Sequence, residues 1–479
     1  MLSSSPVVVI GAGPVGLAAA AHLRARGFTP LVLEAGAQVG AGMRRWAHVR
    51  LFSPWEYAID ARAAELLAAN GWQAPDPTRY PTGAEVVAQY LEPLAATPEL
   101  APHIHLNARV TGLSKYQRDR MKKAQREAAP FVVRYEQDGE EREVHAQAVI
   151  DASGTVTAPN PLGAAGLPAL GERAAAAQVA YGLPDVLGAA RGRYTGKRVL
   201  VVGSGHSAFN VLTDLVRLAQ AAPGMQIHWA VRRPSLQRVL GGGENDQLKE
   251  RGRLGLHIAR LVERGAIAVH TGVHVDRLER TDAGWVAWSG TTALPPVDEL
   301  ISATGFRPDL GFLGEVRLDL DAGTQAPAAL APLIDPNLHS CGSVRPHGAV
   351  ELQHPDANFY IVGMKSYGRA PTFLLLTGYE QVRSVAAAIA GDWEAARRVE
   401  LVLPETGVCN TQFADDKAAP AAACCGGPVP ADSAACCMAD ADAKANGQAG
   451  CGCDSAAAPM PAVAVTVPAK SSCCAPARV

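Results

Sequence analysis

The first 408 residues of this 479-residue chain contain one cysteine, Cys341, although the whole chain has ten. A disulfide framework spreads its cysteines through the fold it staples, so none is expected to hold this body together. An excess of charge of one sign is also lacking: a formal net charge of −2 creates no general field for nucleic acid or an anionic membrane, and neither partner is expected. No run of about 18 apolar residues is present to span a bilayer. The opening "MLSSSPVVVIGAG" lacks the basic and long apolar regions of a secretory signal. The expected address is the cytoplasm, where thiols stay reduced. What remains is globular composition, 48% apolar and 19% charged, on a chain long enough for two or three domains.

The chain begins with a chemically specific unit. In "VVVIGAGPVGLAAAAHLRARGFTPLVLEAG" an apolar strand from Val7 to Ile10 runs into a glycine turn and an Ala/Leu-rich helix. A second strand, Pro30 to Leu33, then ends at Glu34. Gly11, Gly13 and Gly16, with Pro14 among them, match the G-x-G-x-x-G dinucleotide fingerprint. Gly11 permits the tight turn, Gly13 lets backbone approach a pyrophosphate, and Gly16 lets helix pack on strand. The helix N-terminus offers partial positive charge to the phosphates. Glu34, 18 residues beyond Gly16, is placed to accept from ribose hydroxyls. The alternative is a plain glycine-rich turn, against which stands the full order of strand, helix, strand and acid.

The same unit recurs in "KRVLVVGSGHSAFNVLTDLVRLAQAAPGMQIHWAVRRPS". Val199 to Val202 is the strand, and Gly203, Gly205, His206, Ser207 and Ala208 form the turn, with Ala208 as the small third residue. The next strand, Ile227 to Val231, ends in Arg232 and Arg233 instead of an acid. A carboxylate there favours a free 2′-hydroxyl, whereas guanidinium forks favour a 2′-phosphate, so this site reads as NADPH-binding. Alternatively the two arginines only solvate a strand end.

An acid-ended site followed by an arginine-ended one suits a flavin and the nicotinamide that reduces it. Over about residues 1–400 the sequence resembles the two-dinucleotide-binding-domain flavoproteins. The resemblance implies an α/β fold of two Rossmann-like domains, the second inserted into the first. An FAD domain would comprise 1–160 and 303–404, and an NAD(P)H domain 190–302. "AVIDASGTVTAPN" resembles the outward crossing between the domains, and "ELISATGFRPDLGFL", with Ala303, Thr304 and Gly305, the return crossing. "NFYIVGMKSYG" resembles the late turn beside the flavin, and "FLLLTGYEQVRSVAAAIAG" the closing helix. Gly363 is followed by Met364 where disulfide reductases have Asp, so backbone contact alone carries over. "VGAGMRRWAHVRLFSPWEYAI", with Gly42 and Trp46, is similar to the segment covering the isoalloxazine in flavin-containing monooxygenases. That family's Asn is absent from positions 50–60, and so is the Baeyer–Villiger fingerprint. The resemblance thus implies FAD binding by Gly11, Gly13, Pro14, Gly16, Glu34, Gly42, Trp46, Ala303, Thr304, Gly305 and Gly363. It assigns no general acid or base. No CxxC stands near the flavin, and lone Cys341 reads as a small core residue. Oxygen, quinone or a small-molecule substrate must therefore take the electrons.

Two further features read as structural. The basic segment Ser114 to Pro130 interrupts the hairpin of the first domain and reads as an exposed, solvated insertion. His103, His105, His270 and His274 lack metal-ligand spacing, and "GGGEN" reads as a loop of the second domain.

From about residue 405 the chain becomes rich in Ala, Pro, Gly and Ser without hydrophobic periodicity, so 405–479 is expected to be disordered. Cys409 stands at its root. Beyond it come Cys424-Cys425, Cys436-Cys437, Cys451-x-Cys453 and Cys473-Cys474. Zinc folds need pairs enclosed by turns. Adjacent thiolates suit thiophilic ions of low coordination number, such as trivalent arsenic or antimony, mercuric ion or Cu(I). A flexible tail brings a third sulfur at small loop-closure cost. The alternatives are compositional drift and a redox-reactive tail. With this tail the chain resembles the flavin-dependent monooxygenase-like proteins of bacterial arsenic resistance. Three functions stay open: an FAD- and NADPH-dependent oxidoreductase of the monooxygenase type, a reductase working through tail thiols, and a metal-sequestering or trafficking protein.

Overall fold

The computed structural model describes residues 5–236, 239–240, 249–338, 344–370 and 373–401. The chain divides into two compact units, Met1–Phe413 and Ala414–Val479, and only the first contains described residues. Cys341, the Gly241–Asn245 loop, Cys409, the disordered-tail expectation and all eight paired tail cysteines lie outside the described residues. Among the described residues no helix is long and apolar enough to cross a membrane.

The first unit is built twice over on one plan. Strands β1 (Val7–Ile10), β2 (Pro30–Leu33), β3 (Ile104–His105), β7 (Ala148–Asp151) and β16 (Phe359–Ile361) form a parallel sheet in the order β16-β7-β1-β2-β3. Helix α1 (Pro14–Ala25) connects β1 to β2. Strands β4 (Ala108–Lys115), β5 (Phe131–Gln137) and β6 (Glu140–Ala146) make an antiparallel meander. Its β5–β6 turn places Asp138 and Gly139 at φ 54° and 82°, the paired positive dihedrals that an Asp-Gly hairpin supplies. The sheet is apolar on both faces. Val7, Val9, Val32 and Ile150 face the core shared with α1 and the late helix α4 (Leu375–Ile389), while Val8, Ile10, Leu33 and Val149 face the meander. Burial on both faces explains the unbroken valine run of β1.

The second sheet repeats this plan. Strands β8 (Val179–Tyr181), β9 (Arg198–Val202), β10 (Gln226–Ala230), β11 (Ala268–His270) and β15 (Glu299–Ser302) are parallel, in the order β11-β10-β9-β15-β8. One face packs on α2 (His206–Ala221) and α3 (Lys249–Glu263). The other meets the meander β12 (Arg277–Thr281), β13 (Gly284–Ser289) and β14 (Thr292–Ala293). The second sheet takes β8 from residues 179–181, so its half begins before the residue 190 boundary expected from sequence. A three-residue edge strand carries too little periodicity to be seen locally.

The chain leaves the first sheet after β7 and returns after β15, and these crossings are tied together. Asn160 N–H donates to Gly305 O (2.9 Å), Asn160 Nδ2 to Thr304 O (3.1 Å), and Thr304 Oγ1 to Asn160 O (2.9 Å). A further correction concerns the basic insertion, which is not wholly solvated. Arg126 is buried, and its Nε and Nη2 donate to the two carboxylate oxygens of Asp356 at 2.7 and 2.5 Å. Its Nη1 donates to Arg118 O and Asp119 O, and Nη2 also to Glu315 O. Lys115 is buried with Nζ 3.6 Å from the Phe131 ring centroid, and burial lowers its pKa to about 8. Two of the insertion's cations thus anchor it, while Arg120, Lys122 and Lys123 stay exposed.

Candidate functional site

At the first turn, Gly11 has φ 99°, and a Cβ there would lie 2.9 Å from Ala152 O at the end of β7. Both facts demand glycine. A Cβ on Gly16 would lie 2.0 Å from Gly11 O, so the helix approaches the turn as closely as backbone allows. Gly13 behaves differently. A Cβ there meets nothing within 4 Å, so the space beside it is open. Gly13 is also the N-cap of α1 and makes no side-chain cap hydrogen bond; Pro14 follows, and the first helical turn holds no acid. The amide groups and dipole of this helix end are left for an anion to satisfy. Glu34 is buried beside it, accepting from Ala12 N–H and Gly36 N–H, each at 2.7 Å, which fixes the carboxylate at the turn. An open glycine at an uncapped helix N-terminus with a fixed acid fits an adenine dinucleotide.

The second turn has the same geometry. Gly203 has φ 136°, and a Cβ there would lie 2.2 Å from Ala303 O. Gly205 is the open position, with nothing within 4 Å, and it caps α2 without a side-chain hydrogen bond or first-turn acid. Ala208 is buried at the third position, and His206 and Ser207 open the helix. Trp229 Nε1 donates to Gly203 O at 2.7 Å, locking the turn from the neighbouring strand. Exposed Arg232 and half-buried Arg233 follow β10, at the same end of the sheet as the glycine turn. Ala303, assigned to the flavin from sequence, stands against Gly203 of the second turn. Thr304 Oγ1 and the carbonyl of Gly305 are spent in tying the crossings together.

Of the remaining assigned residues, only Gly363 is seen against the helix of the first turn. A Cβ on Gly42 would lie 3.1 Å from Val156, and one on Gly83 would lie 3.0 Å from the half-buried Trp46 ring. Trp46 therefore packs over the start of the helix Gly83–Val86. Gly363 has φ 67° and packs against Val15 of α1, while its N–H donates to Gln381 Oε1 at 2.7 Å.

Local sequence reading misses three features here. Lys365, completely buried, donates from Nζ to Asp151 Oδ2 (2.7 Å) and Ser153 Oγ (3.0 Å), and Ser153 Oγ donates to Asp151 Oδ1 (2.6 Å). This knot joins the late turn to the residue beside Gly11. An acid ending the apolar strand "AVID" signals a buried partner, but that partner is 214 positions away. Gln381 Nε2 donates to Ser366 Oγ and His347 Nε2, both at 2.9 Å, and His347 Nδ1 donates to Arg345 O. An accepting Nε2 makes His347 neutral, in line with burial lowering its pKa. Trp55, wholly buried in the segment after Trp46, keeps an indole N–H without a partner. Of the four histidines given no role, His270 Nε2 lies 3.1 Å from His228 Nδ1. Burial lowers the pKa of both, and no cluster among the described residues could hold a metal. The described residues contain no cysteine.

The family described as "Pyridine nucleotide-disulphide oxidoreductase" matches residues 8–330. Three solved structures share the fold. The bacillithiol disulfide reductase Bdr (YpdA) from Bacillus cereus is 21% identical with a TM-score of 0.59, covering 81% of this chain and 99% of that one. DfoA from Erwinia amylovora, a desferrioxamine-pathway cadaverine monooxygenase bound to FAD, is 14% identical with a TM-score of 0.56, covering 84% and 99%. A flavin monooxygenase variant from Stenotrophomonas maltophilia is 21% identical with a TM-score of 0.52, covering 81% and 98%. No curated protein matches the chain.

Proposed function

The chain belongs to the pyridine nucleotide-disulphide oxidoreductase family, and from that premise we propose that it is an FAD-dependent, NADPH-using oxidoreductase of the flavin monooxygenase type, with a tail that binds soft metal or metalloid ions. The observation that carries this reading is the duplicated open turn. Gly13 and Gly205 each leave space beside an uncapped helix N-terminus, in a body whose described residues hold no thiol to receive electrons.

FAD belongs at the first turn, with its pyrophosphate at the N-terminus of α1 and its ribose toward Glu34. NADPH belongs at the second, with its 2′-phosphate toward Arg232 and Arg233. When bound, the two cofactors supply the hydride and electron chemistry, and the protein supplies binding, orientation and exclusion of water. Molecular oxygen, with a small-molecule substrate, is the proposed acceptor. In the tail, Cys424, Cys425, Cys436, Cys437, Cys451, Cys453, Cys473 and Cys474 offer thiolates to an ion such as As(III), whose affinity for sulfur needs no enclosing fold. The vicinal pairs also favour a second reading, in which tail thiols pass electrons from the flavin to a metal ion or disulfide.

Oxygen uptake with NADPH separates these readings when the full chain is compared with a full chain carrying serine at the eight paired positions. Uptake that survives in the serine variant supports the oxygenase. Uptake absent from both, with metal or disulfide reduction lost in the variant, supports the reductase. No turnover in either, together with tight thiol-dependent As(III) binding, leaves only sequestration.

A further inference from the structure

The second turn is held by a row of rings that begins in the first half. Phe52, six residues after Trp46, has its ring centroid 5.3 Å from that of His206, tilted by 44°. His206 meets Phe209 edge-on at 6.1 Å, and Phe209 meets Trp229 edge-on at 5.9 Å. Trp229 then donates to Gly203 O at 2.7 Å. All three centroid distances fall in the range of favourable aromatic pairs. The row therefore runs from a loop of the first half, across the opening residue of α2, to the carbonyl of the second glycine turn.

We propose that Phe52 is a positioning residue for the nicotinamide nucleotide, fixing the His206 ring beside the open N-terminus of α2. The inference rests on the nucleotide reading above. His206 directly follows Gly205 and opens the helix whose N-terminus a pyrophosphate would approach. A ring held between Phe52 and Phe209 has already lost its rotamer freedom, and that ordering cost is then absent from binding. The first half thereby presets affinity in the second without touching the nucleotide.

The test titrates flavin-loaded, full-length protein with NADP+ by calorimetry. The proteins are wild type, Phe52→Ala, Phe52→Leu, Phe52→Tyr, His206→Ala and Phe52→Ala/His206→Ala. Phe52→Ala is expected to weaken NADP+ about three- to tenfold. Phe52→Leu, which keeps bulk without a ring, falls between it and wild type, and Phe52→Tyr binds as wild type. The double variant matches His206→Ala, because Phe52 acts through that ring. In turnover, Phe52→Ala raises KM for NADPH more than it lowers kcat, with flavin content unchanged. A merely structural role would instead lower flavin content and thermal midpoint while leaving the NADP+ affinity of the loaded fraction intact, and that result overturns the inference. So do wild-type affinity in both Phe52→Ala and Phe52→Leu, and losses that multiply in the double variant. If wild type binds neither NADP+ nor NAD+, the nucleotide reading falls with it. If wild type binds and the Phe52 variants are silent, only the positioning role is lost.

Discussion

Alanine at Gly13 and alanine at Gly205 test the duplicated turn with the least damage to the fold. Neither position has any atom within 4 Å of a would-be Cβ, and neither has a positive φ. The folded state loses little beyond the preference of an N-cap for glycine over alanine, about 0.5–1 kcal/mol. The new methyl instead enters the space over a helix N-terminus that has no side-chain cap and no first-turn acid. Displacing a phosphate there forfeits one charge-assisted amide hydrogen bond, about 1.5–3 kcal/mol, or roughly ten- to hundredfold in affinity. The effects should separate by site. Gly13→Ala loses FAD affinity, read by flavin fluorescence on reconstituting the apoprotein, and Gly205→Ala keeps FAD but loses NADP+. Gly16→Ala is the steric contrast, because its methyl would sit 2.0 Å from Gly11 O and must move backbone. It should lower stability by about 1–3 kcal/mol or more. Undiminished FAD affinity in a well-folded Gly13→Ala protein would refute the assignment of the first turn.

Lys365→Met leaves Asp151 buried without its cation, so denaturant unfolding should show a loss of about 3–5 kcal/mol, largely restored in Asp151→Leu/Lys365→Met. Unchanged stability in the single variant would mean that the pair contributes nothing. Serine at both Arg232 and Arg233 should reduce the preference for NADP+ over NAD+ by about tenfold or more, measured by competitive titration. Acid stability depends on His354, whose Nδ1 accepts from Asp319 N–H and whose pKa burial pushes down to about 4, against the opposing pull of Asp319, Asp151 and Asp356. The unfolded chain binds the extra proton, at an ordinary pKa of about 6.5, so stability is full above that pH and falls as pH drops toward 4. The loss from this group is about 3 kcal/mol. His354→Asn should flatten the unfolding-versus-pH slope over that window by about one proton, and an unaltered slope would remove His354 as its source.

The two glycine turns were legible because their residue pattern is local. Strand, turn and helix N-terminus fall within about ten residues, and Gly16 is required by Gly11 O of the same turn, whereas the carbonyls crowding Gly11 and Gly203, those of Ala152 and Ala303, arrive from distant strands. Glu34 after β2 and Arg232 after β10 could be placed for the same reason, since parallel strands joined by one helix end at the same edge. The basic segment 114–130 was misread because charge pattern reports solvation only when no partner arrives from elsewhere. Asp356, 230 positions away, supplies one to Arg126.

The sequence alone determined that this chain has two strand–glycine turn–helix units, that the strand after one ends in an acid and the strand after the other in arginines, and that thiols are confined to its late part. Those properties are written in near-neighbour spacing and composition. Only the tertiary structure decided that Ala303 walls the second turn, that Lys365 is neutralised by Asp151, and that Phe52 reaches His206. Each of these contacts joins segments about 100 or more positions apart, where the chain's own periodicity carries no information. The packing of two sheets and their crossings fixes them instead.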